Sequence, residues 1–404
     1  MAMGANPAML SVQAAQELVL RNASRLPPAS ATLSHALLGL TLAEAITSPL
    51  DSPPFAKALV DGYAVRCEDG TVARRVIEEV VAGQVPRIPL STGHATRIMT
   101  GAPLPEGADA VVMQERTELR PEGFVALQES PRPGQNIMPR GREMRRGETV
   151  LAPGKPLQPQ HLGLLATLGR TSVQIVARPR VAILATGDEL VEPELDPGPG
   201  QIRNSNGPLL MGLTARAGGT PVYLGIASDD AEKLKQLVAR GLEADVLLLS
   251  GGVSAGKLDL VPAVLEAEGV NPVFHKVFMK PGKPLFLGTL GRRLVFGLPG
   301  NPVSTFAGFE LFVRPALRAL MGYDDPLPRV VTARLQQAHR HQSDRPTYHP
   351  AVLGEDAGGR WTRPVPWFGS PDLRAVCAAD GLCVFEAGTR DFAAGEKVPV
   401  LLLE

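Results

Sequence analysis

Three short, almost uninterrupted apolar runs constrain this chain most: VAILA (Val181–Ala185), PVYLGIA (Pro221–Ala227) and DVLLLS (Asp245–Ser250). Each is followed by a stretch with helical spacing, near Pro208–Ala217, Ala231–Leu242 and Leu258–Glu268. A strand apolar along its whole length must be covered on both faces. The alternation therefore predicts an α/β fold across about 175–320, with a parallel-dominated sheet between helices.

The flanks have another rhythm. Residues 11–24 read as an amphipathic helix capped by Ser11, and Leu33–Ala45 as a second helix. From about 50 to 155, short apolar runs (Val72–Val81, Ala108–Met113) alternate with Pro/Gly turns, which reads as a β-rich insertion. Gln158–Leu168 reads as a helix, with Pro159 in its first turn and Gly169 at its end. Residues 325–404 return to short strands, so a C-terminal β domain is expected. The expected division is a linking domain (27–48 and 146–172), an inserted β-rich domain (49–145), an α/β domain (1–26 and 173–324) and the C-terminal β domain (325–404).

The 404 residues carry 41 basic and 41 acidic side chains, which argues against a nucleic-acid binder with a broad basic face. An anionic ligand would have to be held by local groups. Three scattered cysteines with no CxxC pair argue against zinc and suit a reducing compartment. The first twenty residues lack a basic start followed by a long apolar run. The expectation is a cytoplasmic enzyme with no membrane span.

In open α/β sheets ligands bind beyond the carboxyl ends of the strands. Here those ends read Thr186–Gly187–Asp188–Glu189, Ser228–Asp229–Asp230, and Ser250–Gly251–Gly252–Val253–Ser254–Ala255–Gly256 with Asp259 beyond. Alone, Asp229 or Asp230 would be an ordinary helix N-cap and the glycine pair a common turn. Together they bring carboxylates, hydroxyls and close-approach backbone to one rim, suited to an anion or to Mg²⁺. Lys276 and Lys280 would share a face if one strand ran through both, a pairing suited to an oxyanion but also to a solvated sheet edge. Pro299 and Pro302 stiffen a loop before an apolar helix, and Asp61 precedes a tight turn and a strand.

In order along nearly the whole chain come SPPFAKALVDGYAV, MTGAPLPEGADAVVMQE, GQNIMPRGREMRRGETV, PRVAILATGDELV, GQIRNSN, SGGVSAGKLD, FHKVFMKPGKPLFLG and FGLPGNPVSTF. In this ordered set the chain resembles the MoeA/gephyrin E-domain family. The resemblance implies a homodimer of four-domain subunits that inserts molybdenum from molybdate into adenylylated molybdopterin, releasing AMP, with Mg²⁺ as cofactor. It implies a site shared between the α/β domain of one subunit and the inserted domain of the other. It places Asp61, Thr100 and Glu143 on the inserted domain, and Glu189, Asp229 and Asp259 on the pterin and metal side, with Glu189 and Asp229 as metal ligands. Lys276 and Lys280 would meet molybdate or phosphate. Gly251, Gly252, Ser254, Gly256, Pro299, Pro302 and Ser370 would line the cofactor side. A molybdopterin adenylyltransferase is an implied delivery partner.

The chain departs from the family pattern at four places: Glu143 stands where Asp is usual, Met138 where a basic run is frequent (leaving Arg140 or Arg142 to supply the charge), Lys257 where an acidic or small residue is common, and His349 where a second Arg is frequent beside Arg345. Two other functions fit some of the residues. A molybdopterin adenylyltransferase shares the α/β domain but needs little else. A non-catalytic pterin-binding scaffold would use the same ligand site without turnover.

Overall fold

A computed structural model describes residues 9–228, 230–252 and 260–403. Helix α1 (Val12–Asn22) begins where Ser11 accepts a hydrogen bond from Ala14 N at 3.1 Å. Ala15 and Val19, one turn apart, are its buried contacts. The helix expected over Leu33–Ala45 is not formed. That segment holds a single 3-10 turn, His35–Leu37, followed by Gly39 at φ +76°. Gly39 N instead donates to the Leu157 carbonyl and Leu157 N to that of Leu40, and Thr41 and Leu42 bridge Pro156 and Ile175. The apolar spacing there serves extended pairing.

By density of contacts the chain divides into two units, 44–152 with 160–171, and 1–43 with 153–159 and 172–404. The first unit is built on a six-stranded sheet. Its strands are β1 (Gly62–Val65), β2 (Arg74–Val80), β3 (His94–Ile98), β4 (Ala110–Met113), β5 (Thr117–Arg120) and β6 (Phe124–Leu127). They lie in the order β4-β1-β3-β2-β6-β5, with only β2 and β3 parallel. Tyr63 and Val65 pack on one face of β1, and Ala64 on the other. Gly62 cannot carry a side chain, because a Cβ would stand 1.9 Å from the Val112 carbonyl oxygen. Helix α2 (Pro159–Thr167) starts with proline as expected.

The second unit contains a six-stranded mixed sheet made from β7 (Arg180–Thr186), β8 (Thr220–Ala227), β9 (Val246–Ser250), β10 (Asn271–Lys276), β11 (Pro284–Leu290) and β12 (Arg293–Leu298). Its order is β8-β7-β9-β12-β11-β10, with the first four parallel. Alternate residues of single strands enter different cores. Val181, Ile183, Val246 and Leu248 pack with α1 and with α3 (Asn206–Arg216). Ala182, Leu184, Leu247 and Leu249 pack with α4 (Ala231–Gly241) and α5 (Val261–Ala267). This double coverage is why the runs had to be continuously apolar. Helices α6 (Pro302–Gly308) and α7 (Arg314–Leu320) follow the sheet.

The strand through Lys280 is not formed. β10 ends at Lys276. Val277 and Met279 turn into the core, both fully buried, and Phe278 N bonds to the Leu10 carbonyl at 2.7 Å. This bend breaks the two-residue alternation, so Lys276 and Lys280 do not share a strand face.

The C-terminal part is a closed barrel of β13 (Val330–Leu335), β15 (Thr347–Asp356), β16 (Gly359–Pro364), β17 (Gly381–Phe385) and β19 (Lys397–Leu402). Between them β14 (His339–Ser343) pairs with β18 (Gly388–Phe392). Phe385 sits among rings: His339 and His341 stack on it at 4.7 and 5.2 Å, and His349 meets it edge-on at 6.2 Å. Burial lowers the pKa of all three imidazoles, and that of His349 falls to about 4. A neutral His349 donates from Nε2 to the Val365 carbonyl at 2.9 Å. An imidazole whose folded pKa lies below its unfolded value of 6.5 stabilises the fold fully above pH 6.5. It loses that contribution as pH falls toward 4. His349 alone should cost about 2 kcal/mol between pH 7 and pH 5. Urea midpoints at the two pH values check this. A His349→Phe variant should lose less over the same interval, whatever its stability at pH 7.

Candidate active site

The carboxyl ends of β7, β9 and β12 meet as the topology requires. Thr186 closes β7, and Gly187 follows at φ +141°. The exposed Glu189 lies over Gly187 so closely that a Cβ there would stand 2.3 Å from its carboxylate. Gly251 (φ +90°) donates its N–H to the Leu298 carbonyl at 3.1 Å, and a Cβ would stand 2.5 Å from the Thr186 carbonyl oxygen. Gly252 follows at φ +61°. Both glycines are thus required by backbone shape and approach. Asn206, at the start of α3, ties the rim together. Its Nδ2 donates to Ser250 Oγ and to the Gly300 carbonyl, each at 2.7 Å. The spacing of GQIRNSN alone did not assign Asn206 this role.

Asp230 is the N-cap of α4 and accepts from Glu232 N and Lys233 N. Asp229, Ser254, Gly256, Lys257 and Asp259 lie outside the described residues. Among the described residues no group of three carboxylate, imidazole or thiol side chains could hold a metal ion.

Lys280 lines a cavity of about 260 Å³ together with Lys283, Pro299, Ser304, Arg345 and Ser370. Segments from the α/β sheet and the barrel build it. Lys280 N donates to the Pro346 carbonyl and Tyr348 N to the Lys280 carbonyl, both at 2.8 Å. Arg345 donates to the Met279 carbonyl at 3.2 Å and to Asp344 Oδ1 at 3.1 Å. Val303 N donates to the Ser370 carbonyl at 3.0 Å, and the Thr305 hydroxyl to that of Pro299. Pro302, at the first turn of α6, fixes the start of the helix behind this loop. Three basic residues and two serines therefore line a space with no carboxylate in its wall, Asp344 pairing with Arg345 from outside it, a setting for a small oxyanion. The exposed Lys276 is not part of that wall. Lys283, Ser304 and Arg345 are the members that strand-by-strand reading did not assign. PGKP marks Lys283, but its meeting with Arg345 depends on the fold.

In the other unit, Asp61 Oδ1 accepts from Thr100 Oγ1 at 2.7 Å and from Thr100 N at 2.8 Å. The hydroxyl bond and then the amide bond hold this exposed carboxyl below the usual range, so it is ionised at neutral pH. Glu143 accepts from Ser52 Oγ at 2.7 Å and faces Lys57 Nζ at 3.4 Å, and both contacts lower its pKa, Ser52 the more. Its extra methylene thus reaches partners close by. Arg140 pairs with Asp51 at 2.7 Å. His349, held neutral, does not supply the charge of an arginine.

Three family models match in succession: the MoeA N-terminal region (domain I and II) over residues 10–169, a probable molybdopterin binding domain over 182–319, and the MoeA C-terminal region (domain IV) over 332–403. A molybdopterin molybdenumtransferase of Bacillus subtilis (strain 168) is 36% identical over 373 residues, 90% of this chain and 87% of that protein.

The chain belongs to the MoeA family.

A Staphylococcus aureus (strain COL) protein of the same description is 32% identical over 98% of this chain and 96% of its own length. A crystal structure of the molybdopterin biosynthesis moeA protein from Pyrococcus horikoshii superposes with a TM-score of 0.84 at 33% identity, covering 98% of this chain and 99% of that one. Membership places the chain in molybdenum-cofactor biosynthesis. The MoeA matches run from residue 10 to residue 403, outside the 182–319 molybdopterin binding match on both sides. Among the described residues no helix is long and apolar enough to cross a membrane.

Proposed function

We propose that this chain transfers molybdenum from molybdate into adenylylated molybdopterin, with release of AMP, and that the cavity between Lys280 and Ser370 receives the molybdate. The observation that carries this reading is the carboxylate-free wall of Lys280, Lys283 and Arg345 with the Ser304 and Ser370 hydroxyls. A tetrahedral dianion satisfies such donors at once, and charge-assisted bonds fix its orientation. Gly251 and Gly252, with Ser254 and Gly256, would give the pterin phosphate a close backbone approach. Glu189, Asp229 and Asp259 would hold the pterin end. Lys276, just before the bend, would meet an outer phosphate.

Mg²⁺ on Glu189 and Asp229 would supply positive charge against two anionic reactants. Glu189 is exposed beyond the end of β7, which suits a carboxylate ligand to a hydrated ion. We further propose a cytoplasmic homodimer in which Asp61, Thr100 and Glu143 of one copy complete the site of the other, supplied by a molybdopterin adenylyltransferase. Asp61, ionised and anchored by Thr100, would position the reacting end of the substrate.

Purified chain given adenylylated molybdopterin should release AMP only when molybdate is added. Formation of adenylylated pterin from molybdopterin and ATP, without molybdate, would instead assign the adenylyltransferase step. Binding without turnover would assign a scaffold.

A further inference from the structure

Trp367 lines the oxyanion cavity and also a second one, of about 510 Å³, within the C-terminal β domain. The second cavity is walled by Gln337, His339, His349, Arg363 and Trp367. Three rings form its sides: His349 meets Trp367 edge-on at 5.1 Å and His339 at 5.3 Å. Both imidazoles are neutral at pH 7, so they offer aromatic surface rather than charge. The remaining charge is Arg363, exposed on β16, with no ion pair among the described residues. No carboxylate lines the space. The volume exceeds what a tetraoxoanion fills and lies in the range of small-molecule sites, roughly 300–1,000 Å³.

Aromatic walls, one guanidinium without an ion pair and an amide call for a flat ring carrying a negative group. We propose that this cavity is a second ligand site, for a heteroaromatic anion the size of a nucleoside monophosphate. Its ring lies among His339, His349 and Trp367, and its anionic group pairs with Arg363. The site stands apart from the molybdate reading above and does not depend on it.

Trp361 and Trp367 are the two tryptophans, so a Trp361→Phe chain reports on Trp367 alone. Titration with AMP should change its emission saturably. Adenosine and inorganic phosphate should each bind at least about tenfold more weakly, as expected when one charge-assisted contact or the ring contact is missing. Arg363→Gln should weaken AMP about tenfold or more, and Lys280→Ala with Lys283→Ala should change it less than about twofold. Line broadening of the adenine protons in the chain with both tryptophans gives the same comparison should Trp361→Phe fail to fold. No response to AMP, adenosine binding as tightly as AMP, an unaffected Arg363→Gln, or loss of the response in the lysine pair would each overturn the proposal.

Discussion

Replacing Lys280 and Lys283 together by alanine is expected to weaken molybdate binding about 10²- to 10⁴-fold, at roughly 1.5–3 kcal/mol for each charge-assisted contact. Molybdate-dependent AMP release should fall in parallel at fixed, subsaturating molybdate. The fold should suffer little, because removing two cations beside Arg345 relieves repulsion and offsets the loss of Lys280's attraction for the exposed Asp344. The thermal midpoint should hold or rise. Lys276→Ala is the internal control: this lysine lies outside that wall, and its replacement should change molybdate affinity less than about twofold. Equal losses from Lys276→Ala and Lys280→Ala would mean that the oxyanion sits along β10 instead. Isothermal titration with molybdate reads all three variants.

The second large effect is at Asp61. Asp61→Ala should lower AMP release about 100-fold, within the range for loss of a positioned charged group. Thr100→Val should cost less, since the Thr100 amide still donates to Asp61 Oδ1 when the hydroxyl is gone. Asp61→Asn separates charge from turn geometry. The amide oxygen keeps an acceptor for Thr100, so activity as low as in Asp61→Ala would assign the effect to the charge, whereas recovery would assign it to the turn. If the site is completed across a homodimer, mixing inactive Asp61→Ala with inactive Lys280→Ala should restore about a quarter of wild-type activity. Half of the randomly exchanged dimers would then hold one intact site of two. No recovery after confirmed subunit exchange would place both residues in one copy's site.

The α/β sheet was legible because its strands bury both faces, so VAILA and DVLLLS could hardly be anything else. Their polar ends followed from topology, and Gly187, Gly251 and Gly252 stand there with positive φ. Leu33–Ala45 misled because apolar spacing over a short stretch fits either a helix or an extended segment, and pairing with 156–157 and 175 decided it. His275–Lys280 misled for a related reason. Alternation was visible in the sequence, but the burial of Val277 and Met279 around a bend was not. The oxyanion cavity is less legible still. Lys280 and Arg345 are brought together by Pro346 and Tyr348 pairing with the Lys280 backbone, a contact between the bend after β10 and the start of β15 that no local pattern announces. Family resemblance marked Ser370 and Lys280 singly. The fold adds Lys283, Ser304 and Arg345 and removes Lys276 from the wall.

The most direct measurement is anomalous diffraction at the molybdenum edge from crystals soaked in molybdate. A peak within charge-assisted distance of Lys280, Lys283 and Arg345, about 2.7–3 Å from their nitrogens to the oxyanion oxygens, is the expected result. A peak beside Lys276 with that cavity empty, at molybdate concentrations that saturate AMP release, would contradict it.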